Sequence, residues 1–389
     1  MIELIIDKNN EGKKIAVVEN GKLVEIYEEN AENQKARNEG NIYAGFVKDI
    51  IPGMQAAFVD IGTEKASFIH VKDILPQVDE KKGEKQEDCK IKDVIKNKQK
   101  ILVQVQKDSN EKKGARTSTH IKITGKYIIL LPNTTIITIS QKIENEKEKE
   151  RLINLIKENL PKNTGAIIRT AAQNIKKEEL IKDLENQLTI WKEIVNKYNK
   201  ISEKPELVYK SPDIIEKMIL DMPEKEISKI IVNDKNEYNK LKQNENADKI
   251  VLEEGNLLEK YEIEKQIEKS KQRKIWLKCG GFITIDSTEA LIAIDVNSGK
   301  FTGKSNLEDT IYKVNYEATI EIARQIRLRD IGGIIIIDYI DMHKKENRDK
   351  IEKLLKEVLK KDRAKTQIEG FTKLNLMEMT RKHICSHNS

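Results

Sequence analysis

Two segments of the sequence decide which fold to expect: LIAIDVNSGKFTG at residues 291–303 and GGIIIIDYIDM at residues 332–342. Each is a short run of β-branched and small apolar residues that reaches a carboxylate, Asp295 in the first and Asp338 in the second. Such runs predict β-strands. A strand that ends on aspartate places the carboxylate at the sheet edge, and two adjacent edges can hold one hard cation. Mg²⁺ held through one or two carboxylates, with most of its water retained, is a common means of breaking phosphodiester bonds.

The chain between these strands predicts an amphipathic helix over residues 305–330, opened by a capping box of Ser305 and Glu308. Gly332 and Gly333 are expected to end this helix, and the strand after them is expected to be buried. Strand, helix and strand make a parallel crossover, which brings the ends of both strands to the same side of the sheet. The two aspartates are therefore expected to meet at the edge where open α/β sheets place their ligands.

Nearby residues extend this candidate site. Asn297 can add an amide oxygen or hold a metal-bound water, and Ser298-Gly299 gives a turn that lets the backbone approach a phosphate. Asp286 and Asp341 are additional carboxylates close in sequence. Aspartates at strand ends also form turns and cap helices, and spacing alone does not separate these roles from metal binding.

Composition limits the class of protein. The 389 residues predict two to three domains, and 71 Lys and Arg against 65 Asp and Glu give a net charge of +6, which favours an acidic partner only weakly. Cys89, Cys279 and Cys385 form no C-x-x-C pair, and Glu3 and Asp7 lie where a secretory leader would be positive. These features predict a reduced, cytoplasmic protein. The apolar runs are far too short to span a bilayer.

The N-terminal half predicts three successive regions: a hairpin, a small barrel, and a segment in which strands and helices alternate. Residues 1–35 predict a hairpin that turns at Asn20-Gly21. Short strands separated by turn residues recur over residues 41–118 and predict a small closed barrel, with the charged stretch 81–100 as a loop. Strands and helices then alternate over residues 120–210.

Residues 211–278 predict further strands and helices, and the last of these is a charged helix over residues 259–273. No internal repeat is visible in the sequence.

Aromatic and basic residues share the barrel segment: Tyr43, Phe46, Phe58 and Phe68 alternate with Lys48, Lys65 and Lys72. On an OB-type barrel, exposed aromatic rings stack bases and lysines follow the backbone of a single strand. A small barrel must also fill its interior, so the same rings are candidates for its core. The basic turn at residues 112–116 suits either phosphate contacts or plain surface. Arg169 and Thr170, at the end of the strand in GAIIRTAA, suit a terminal phosphate or plain surface in the same way.

Six segments together resemble the ribonuclease E/G family of bacterial endoribonucleases, in that family's order and over nearly the whole chain. They are NIYAGFVKDIIPGMQAAFVDIG (41–62), KGART (113–117), GAIIRTAA (165–172), ALIAIDVNSGKFTG (290–303), IARQIRLRDIGGIIIIDYIDM (322–342) and DRAKTQIEGFTKLNLMEMTRK (362–382).

The resemblance implies an α/β multidomain fold with four parts. A discontinuous RNase H-like domain over 1–35 and 211–278 would be interrupted by an OB-fold RNA-binding barrel over 36–119 and a 5′-end sensor over 120–210. A deoxyribonuclease-I-like catalytic domain would follow over 279–389.

The resemblance also implies an activity: Mg²⁺-dependent cleavage of single-stranded RNA that leaves 5′-phosphate and 3′-hydroxyl ends, in rRNA maturation and mRNA decay. By motif match, Asp295 and Asp338 would hold the metal and Asn297 would assist.

Two further groups of residues match the family's RNA contacts. Phe58, Phe68 and Lys113 would grip single-stranded RNA beside the cut, and Arg169 with Thr170 would read a 5′-monophosphate.

The end of the chain departs from the family pattern. The family continues into a C-P-x-C zinc link shared between subunits, whereas Cys385 here lies between His383 and His387. We therefore expect no zinc link, and the sequence leaves a homodimer open. A truncated, non-catalytic RNA-binding protein is the alternative function.

Overall fold

The computed structural model describes residues 1–30, 38–74, 90–109, 113–222, 225–243, 247–299 and 307–384. The chain divides into two compact units, a first unit of Met1–Ala31 with Glu224–Ser389 and a second unit of Glu32–Pro223.

Strands and helices alternate through both units, which confirms a mixed α/β chain. The strands are β1 (Ile2–Asn9), β2 (Gly12–Glu19), β3 (Lys22–Asn30), β4 (Ile42–Ile51), β5 (Ala56–Asp60), β6 (Ser67–His70), β7 (Lys100–Lys107), β8 (Arg116–Ser118), β9 (Ile123–Thr124), β10 (Ile128–Pro132), β11 (Ile137–Ile139), β12 (Thr164–Ile168), β13 (Glu206–Tyr209), β14 (Ile227–Val232), β15 (Ile250–Leu252), β16 (Lys274–Trp276), β17 (Phe282–Ser287), β18 (Ile292–Asn297), β19 (Gly333–Asp338), β20 (Thr366–Phe371) and β21 (Leu376–Arg381). The helices are α1 (Ile91–Val94), α2 (Glu146–Asn159), α3 (Lys177–Lys200), α4 (Ile214–Asp221), α5 (Lys235–Leu241), α6 (Leu257–Lys260), α7 (Ile263–Ser270), α8 (Leu307–Leu328) and α9 (Lys345–Leu359).

The first unit begins with a five-stranded sheet in the order β15-β14-β1-β2-β3. Asn20 and Gly21, with φ of 51° and 77°, join β2 to β3. Positive φ at both central residues is typical of the type I′ turn, whose twist matches that of the paired strands. The predicted hairpin turn is therefore confirmed, and the parallel pairing of β1 with β14 ties this hairpin to the chain beyond residue 225.

A six-stranded sheet in the order β16-β17-β18-β19-β21-β20 forms the rest of the first unit. Strand β18, helix α8 and strand β19 make the predicted crossover, and β18 and β19 are parallel. Side chains of α8 and α9 pack on one face of the sheet, against Ile294, Ile335 and Ile337. The opposite face is more open, and Ile334 is 51% exposed there. The predicted burial of this strand therefore holds for the face that carries Ile335 and Ile337 and not for the opposite face.

Two predicted helix boundaries differ from the structure. Helix α8 ends at Leu328, two residues before the predicted end at Asp330, because Asp330 already takes a positive φ of 44°. The charged helix over residues 259–273 is two short helices, since Glu262 between α6 and α7 has a φ of 54°. Ser305, the proposed cap of α8, lies outside the described residues.

The second unit contains the predicted barrel. Strands β4, β5, β6, β8 and β7 pair in turn, and β4 pairs with β7 to close the barrel. Tyr43 is 7% exposed in the barrel core, so this ring fills the interior. In the predicted loop over residues 81–100, the described part includes the short helix α1.

A second sheet of this unit has the order β11-β12-β10-β9 and packs with α2 and α3. This matches the predicted alternation of strand and helix over residues 120–210. No helix in the described part of the chain has the length and apolar character needed to cross a bilayer.

Candidate metal site and RNA-binding surface

Asp295 and Asp338 lie next to each other on the six-stranded sheet. The two residues are directly paired across the parallel strands β18 and β19, so their side chains project from the same face of the sheet. Neighbouring strands are ~5 Å apart, which lets one small ion contact both carboxylates. Both residues are exposed, on the face that the helices leave open. Partial burial, and then the charges of Asp295 and Asp341, raise the pKa of Asp338 above its usual value.

Three other polar residues were predicted near the pair: Asn297 and Asp341 interact with it, whereas Asp286 is paired with an arginine. Asn297 donates from Nδ2 to Oδ2 of Asp295 at 2.5 Å and so belongs to the site. Asp286 accepts two hydrogen bonds from Arg273, at 2.5 and 2.7 Å, which neutralise its charge. Asp341 accepts a long hydrogen bond of 3.4 Å from Asn375, and its charge contributes to the raised pKa of Asp338.

Glycines behind the site hold Asn297 in place, and the sequence analysis missed one of them. Gly299 has a φ of 59°, and a Cβ there would lie 2.5 Å from the carbonyl oxygen of Gly280. A Cβ on Gly281 would lie 2.8 Å from the carbonyl oxygen of Asn297. The Gly280-Gly281 pair in the sequence is the signal that could have shown this close backbone approach.

The donor set fits a magnesium ion better than a zinc ion. The site offers two carboxylates and one amide, and no group of three or more His, Cys, Asp or Glu side chains suited to a metal is present among the described residues. Mg²⁺ is usually bound through one or two carboxylates and keeps several waters, whereas structural zinc needs four closely spaced protein ligands. The Cys385–Ser389 tail lies outside the part of the chain that the structure describes.

The structure brings the predicted barrel residues together. Phe58 and Phe68 are directly paired on β5 and β6, with ring centroids 6.1 Å apart in an edge-to-face arrangement, and both rings are partly exposed. Gly114 approaches Ala66 so closely that a Cβ would lie 2.0 Å from its carbonyl oxygen. This contact brings the segment that contains the exposed Lys113 close to Ala66, two residues before Phe68.

Arg169 and Thr170 have different surroundings although they are neighbours in the chain. The Arg169 guanidinium donates to the carbonyl oxygen of Gly125 at 2.7 Å and forms an ion pair with Asp221. Thr170 is exposed and shares a hydrogen bond of 2.7 Å with the hydroxyl of Ser140. Sequence reasoning missed Asp221, because no local pattern links α4 to the end of β12.

Comparison with known proteins gives the same relationship throughout the chain. Residues 122–384 match the model of the ribonuclease E/G family. Ribonuclease G of Salmonella typhimurium is 37% identical over 393 residues, which cover 98% of this chain and 79% of that protein. Ribonuclease G of Haemophilus influenzae is 38% identical with the same two coverages, and ribonuclease E of Escherichia coli is 34% identical over 98% of this chain and 37% of its own length. The resemblance seen in the sequence motifs is thus confirmed, and the chain belongs to the ribonuclease E/G family.

Proposed function

We propose that this protein is a Mg²⁺-dependent endoribonuclease that cleaves single-stranded RNA and leaves 5′-phosphate and 3′-hydroxyl ends. Membership of the ribonuclease E/G family makes it an enzyme of the endoribonuclease type. The metal, the end chemistry and the individual site residues are our proposal.

The observation that carries the proposal is the direct pairing of Asp295 with Asp338 on an open sheet face. In this proposal both carboxylates hold the ion, and Asn297 orients the carboxylate of Asp295 through its hydrogen bond. When bound, Mg²⁺ supplies Lewis-acid polarisation of the scissile phosphate and a more acidic water. Because both aspartates are exposed, an RNA phosphate can reach the site without any part of the sheet moving.

The second unit would hold the RNA. Phe58 and Phe68 present two partly exposed rings for base stacking, and the exposed Lys113, whose neighbour Gly114 contacts Ala66, would add a cation for the RNA backbone. Arg169 and Thr170 would bind a 5′-monophosphate. The phosphate would take the place of the Asp221 carboxylate on Arg169, since both are anions that accept from the guanidinium.

The remaining assignments complete the proposal. The five-stranded sheet would be RNase H-like, the barrel an OB fold and the six-stranded sheet deoxyribonuclease-I-like. The enzyme would act in the cytoplasm on rRNA precursors and mRNA, and a homodimer is compatible with this role.

The test is cleavage of a short single-stranded RNA with Mg²⁺ by wild type, Asp338→Asn and the matched control Asp286→Asn. We expect a loss of at least about 100-fold in Asp338→Asn, because the metal contributes several kcal/mol to the transition state. Asp286→Asn should stay within a few-fold of wild type, since Arg273 already neutralises that carboxylate. RNA binding should be retained in both variants.

Unchanged cleavage in Asp338→Asn would refute the metal site. RNA binding by wild type without any Mg²⁺-dependent product would favour the alternative, a non-catalytic RNA-binding protein. Comparing 5′-monophosphate with 5′-hydroxyl RNA in wild type and Thr170→Val tests the 5′-end site. The preference for the monophosphate should fall in the variant.

A further inference from the structure

An exposed aromatic side chain lies on the same sheet face as the two aspartates. Strand pairing aligns Trp276 with Phe282 and Phe282 with Asn297. Directly paired residues project from the same face, so these three side chains form one row across the sheet. Trp276 is 61% exposed, although burial of tryptophan is normally favourable. Its indole therefore lies about two strand spacings, ~10 Å, from Asn297 in the proposed metal site.

The two rings already bind a cation. Their centroids are 5.3 Å apart at an interplanar angle of 62°, and Nζ of Lys274 lies 3.6 Å from the Phe282 centroid and 4.3 Å from the Trp276 centroid. Lys274 pairs with Thr284, which in turn pairs with Asp295, so the lysine belongs to the row that contains the aspartate. A flat apolar ring and an ammonium group thus lie together within reach of one nucleotide of a strand bound at the metal site.

A basic cavity borders Trp276 and Lys274. It has a volume of about 650 Å³ between β16 and α8, and Lys22, Lys269, Lys274 and Lys278 line it. Among the described residues none of these four lysines forms an ion pair. The two acidic residues of the cavity are already engaged. Glu317 accepts from the backbone N–H of Cys279 at 2.9 Å, and Glu321 pairs with Arg324 at 2.5 Å.

We propose that Trp276, supported by Phe282 and Lys274, is a base-stacking site for a nucleotide within two positions of the scissile phosphate, and that the RNA continues from there into the lysine-lined cavity. This inference rests on the proposed function, because the Asp295–Asp338 pair defines where the cut occurs. A single-stranded polyanion fits both parts: aromatic rings stack any base, and lysines contact the phosphates in a manner that salt weakens.

Direct binding is tested by fluorescence. The sequence contains two tryptophans, Trp191 and Trp276, so Trp191→Phe leaves Trp276 as the only indole. Asp338→Asn is added to prevent cutting. A single-stranded oligoribonucleotide should quench this fluorescence with a salt-dependent midpoint, and the same oligonucleotide with an abasic site at the stacked position should not.

Kinetics provide the second test, in otherwise wild-type protein. Trp276→Ala should raise KM about 5- to 150-fold and change kcat little, in line with the loss of one stacked base. Trp276→Tyr should restore most of the loss. Tyr316→Ala is the matched control: it removes an aromatic ring that is 41% exposed on α8 and does not line the cavity, and it should leave KM unchanged.

An abasic scan of the substrate then locates the base. One abasic position within two nucleotides of the cut should raise the KM of wild type but leave the KM of Trp276→Ala unchanged. Cleavage with an unchanged KM in Trp276→Ala, together with no quenching, would overturn the stacking site while leaving the proposed nuclease intact. Quenching of Trp276 by RNA in a wild-type protein that shows no cleavage would support the RNA site and refute the proposed activity.

Discussion

Two carboxylate sites in the first unit have opposite surroundings. Glu25 on β3 is 1% exposed and accepts from the guanidinium groups of Arg327 at 2.8 Å and Arg363 at 2.6 Å. Asp295 and Asp338 are exposed, adjacent to each other, and form no ion pair within the described ranges. Arginine side chains of the protein therefore neutralise the buried carboxylate, whereas the exposed pair is open to a cation from solution.

This difference separates a structural charge from one for which we propose a function. A buried carboxylate must be paired, because an isolated charge in the interior is very costly. Two exposed carboxylates at one strand spacing repel each other, and a fold gains nothing from keeping them together unless they bind a cation.

Glu25→Gln should lower the free energy of unfolding of the first unit by about 3–5 kcal/mol, because it leaves Arg327 and Arg363 without their shared carboxylate. Urea denaturation followed by Trp276 fluorescence in a Trp191→Phe background measures this unit. Glu28→Gln is the control, since its side chain is 56% exposed and lies 3.6 Å from Lys14, and it should change stability by less than about 1 kcal/mol. Equal effects in both variants would contradict the role assigned to the buried cluster.

The same cluster should make stability depend on pH. Burial alone would raise the pKa of Glu25, but Arg363 and Arg327 outweigh burial, so this pKa lies below its ordinary value of 4.5. The stabilisation is thus fully present above the pKa of the unfolded chain and is lost as the pH falls through the folded pKa. The difference in unfolding free energy between wild type and Glu25→Gln should be constant above about pH 5 and shrink on acidification. If this difference in unfolding free energy grew on acidification, the pKa of Glu25 would be raised by folding instead of lowered.

Mg²⁺ should stabilise the wild type without any RNA present. At ten times its dissociation constant, an ion that binds only the folded state adds about 1.4 kcal/mol. A rise in Tm on titration with MgCl2 measures this effect. The rise should disappear in Asp338→Asn and persist in Asp286→Asn, and its persistence in Asp338→Asn would mean that the ion binds elsewhere.

In the absence of metal, Asp338→Asn should be slightly more stable than wild type. The substitution removes the repulsion from Asp295 and Asp341, which is worth roughly 0.2–1 kcal/mol at an exposed position. Thermal unfolding in EDTA measures the difference. A loss of stability in this variant would show that Asp338 has a structural role similar to that of Glu25.

The sequence predicted the elements whose signals are local. Asn20-Gly21 specifies its turn by itself, and the apolar runs that end at Asp295 and Asp338 specify two strands and their crossover. Because a crossover fixes which strand ends meet, the position of the candidate metal site followed as well.

The features that the sequence did not predict depend on contacts between segments that are distant in the chain. No local pattern indicates that Arg169 pairs with Asp221, or that Trp276 lies on the face of Asp295, since strand order and register decide both. The run Ile334–Ile337 predicts a buried strand, yet only one face is covered, because apolar runs alone do not reveal how many layers pack on a sheet.

The pairing of Asp295 with Asp338 also determines which changes of chain length the protein can accept. Side chains alternate between the two faces of a strand, so inserting or deleting one residue within β19 would send the Asp338 carboxylate toward the helices and an isoleucine toward solvent. Changes of length in the connections outside the strands leave this register intact. We therefore expect insertions and deletions between relatives of this chain to avoid β18 and β19 and to occur in the segments that join them to other elements.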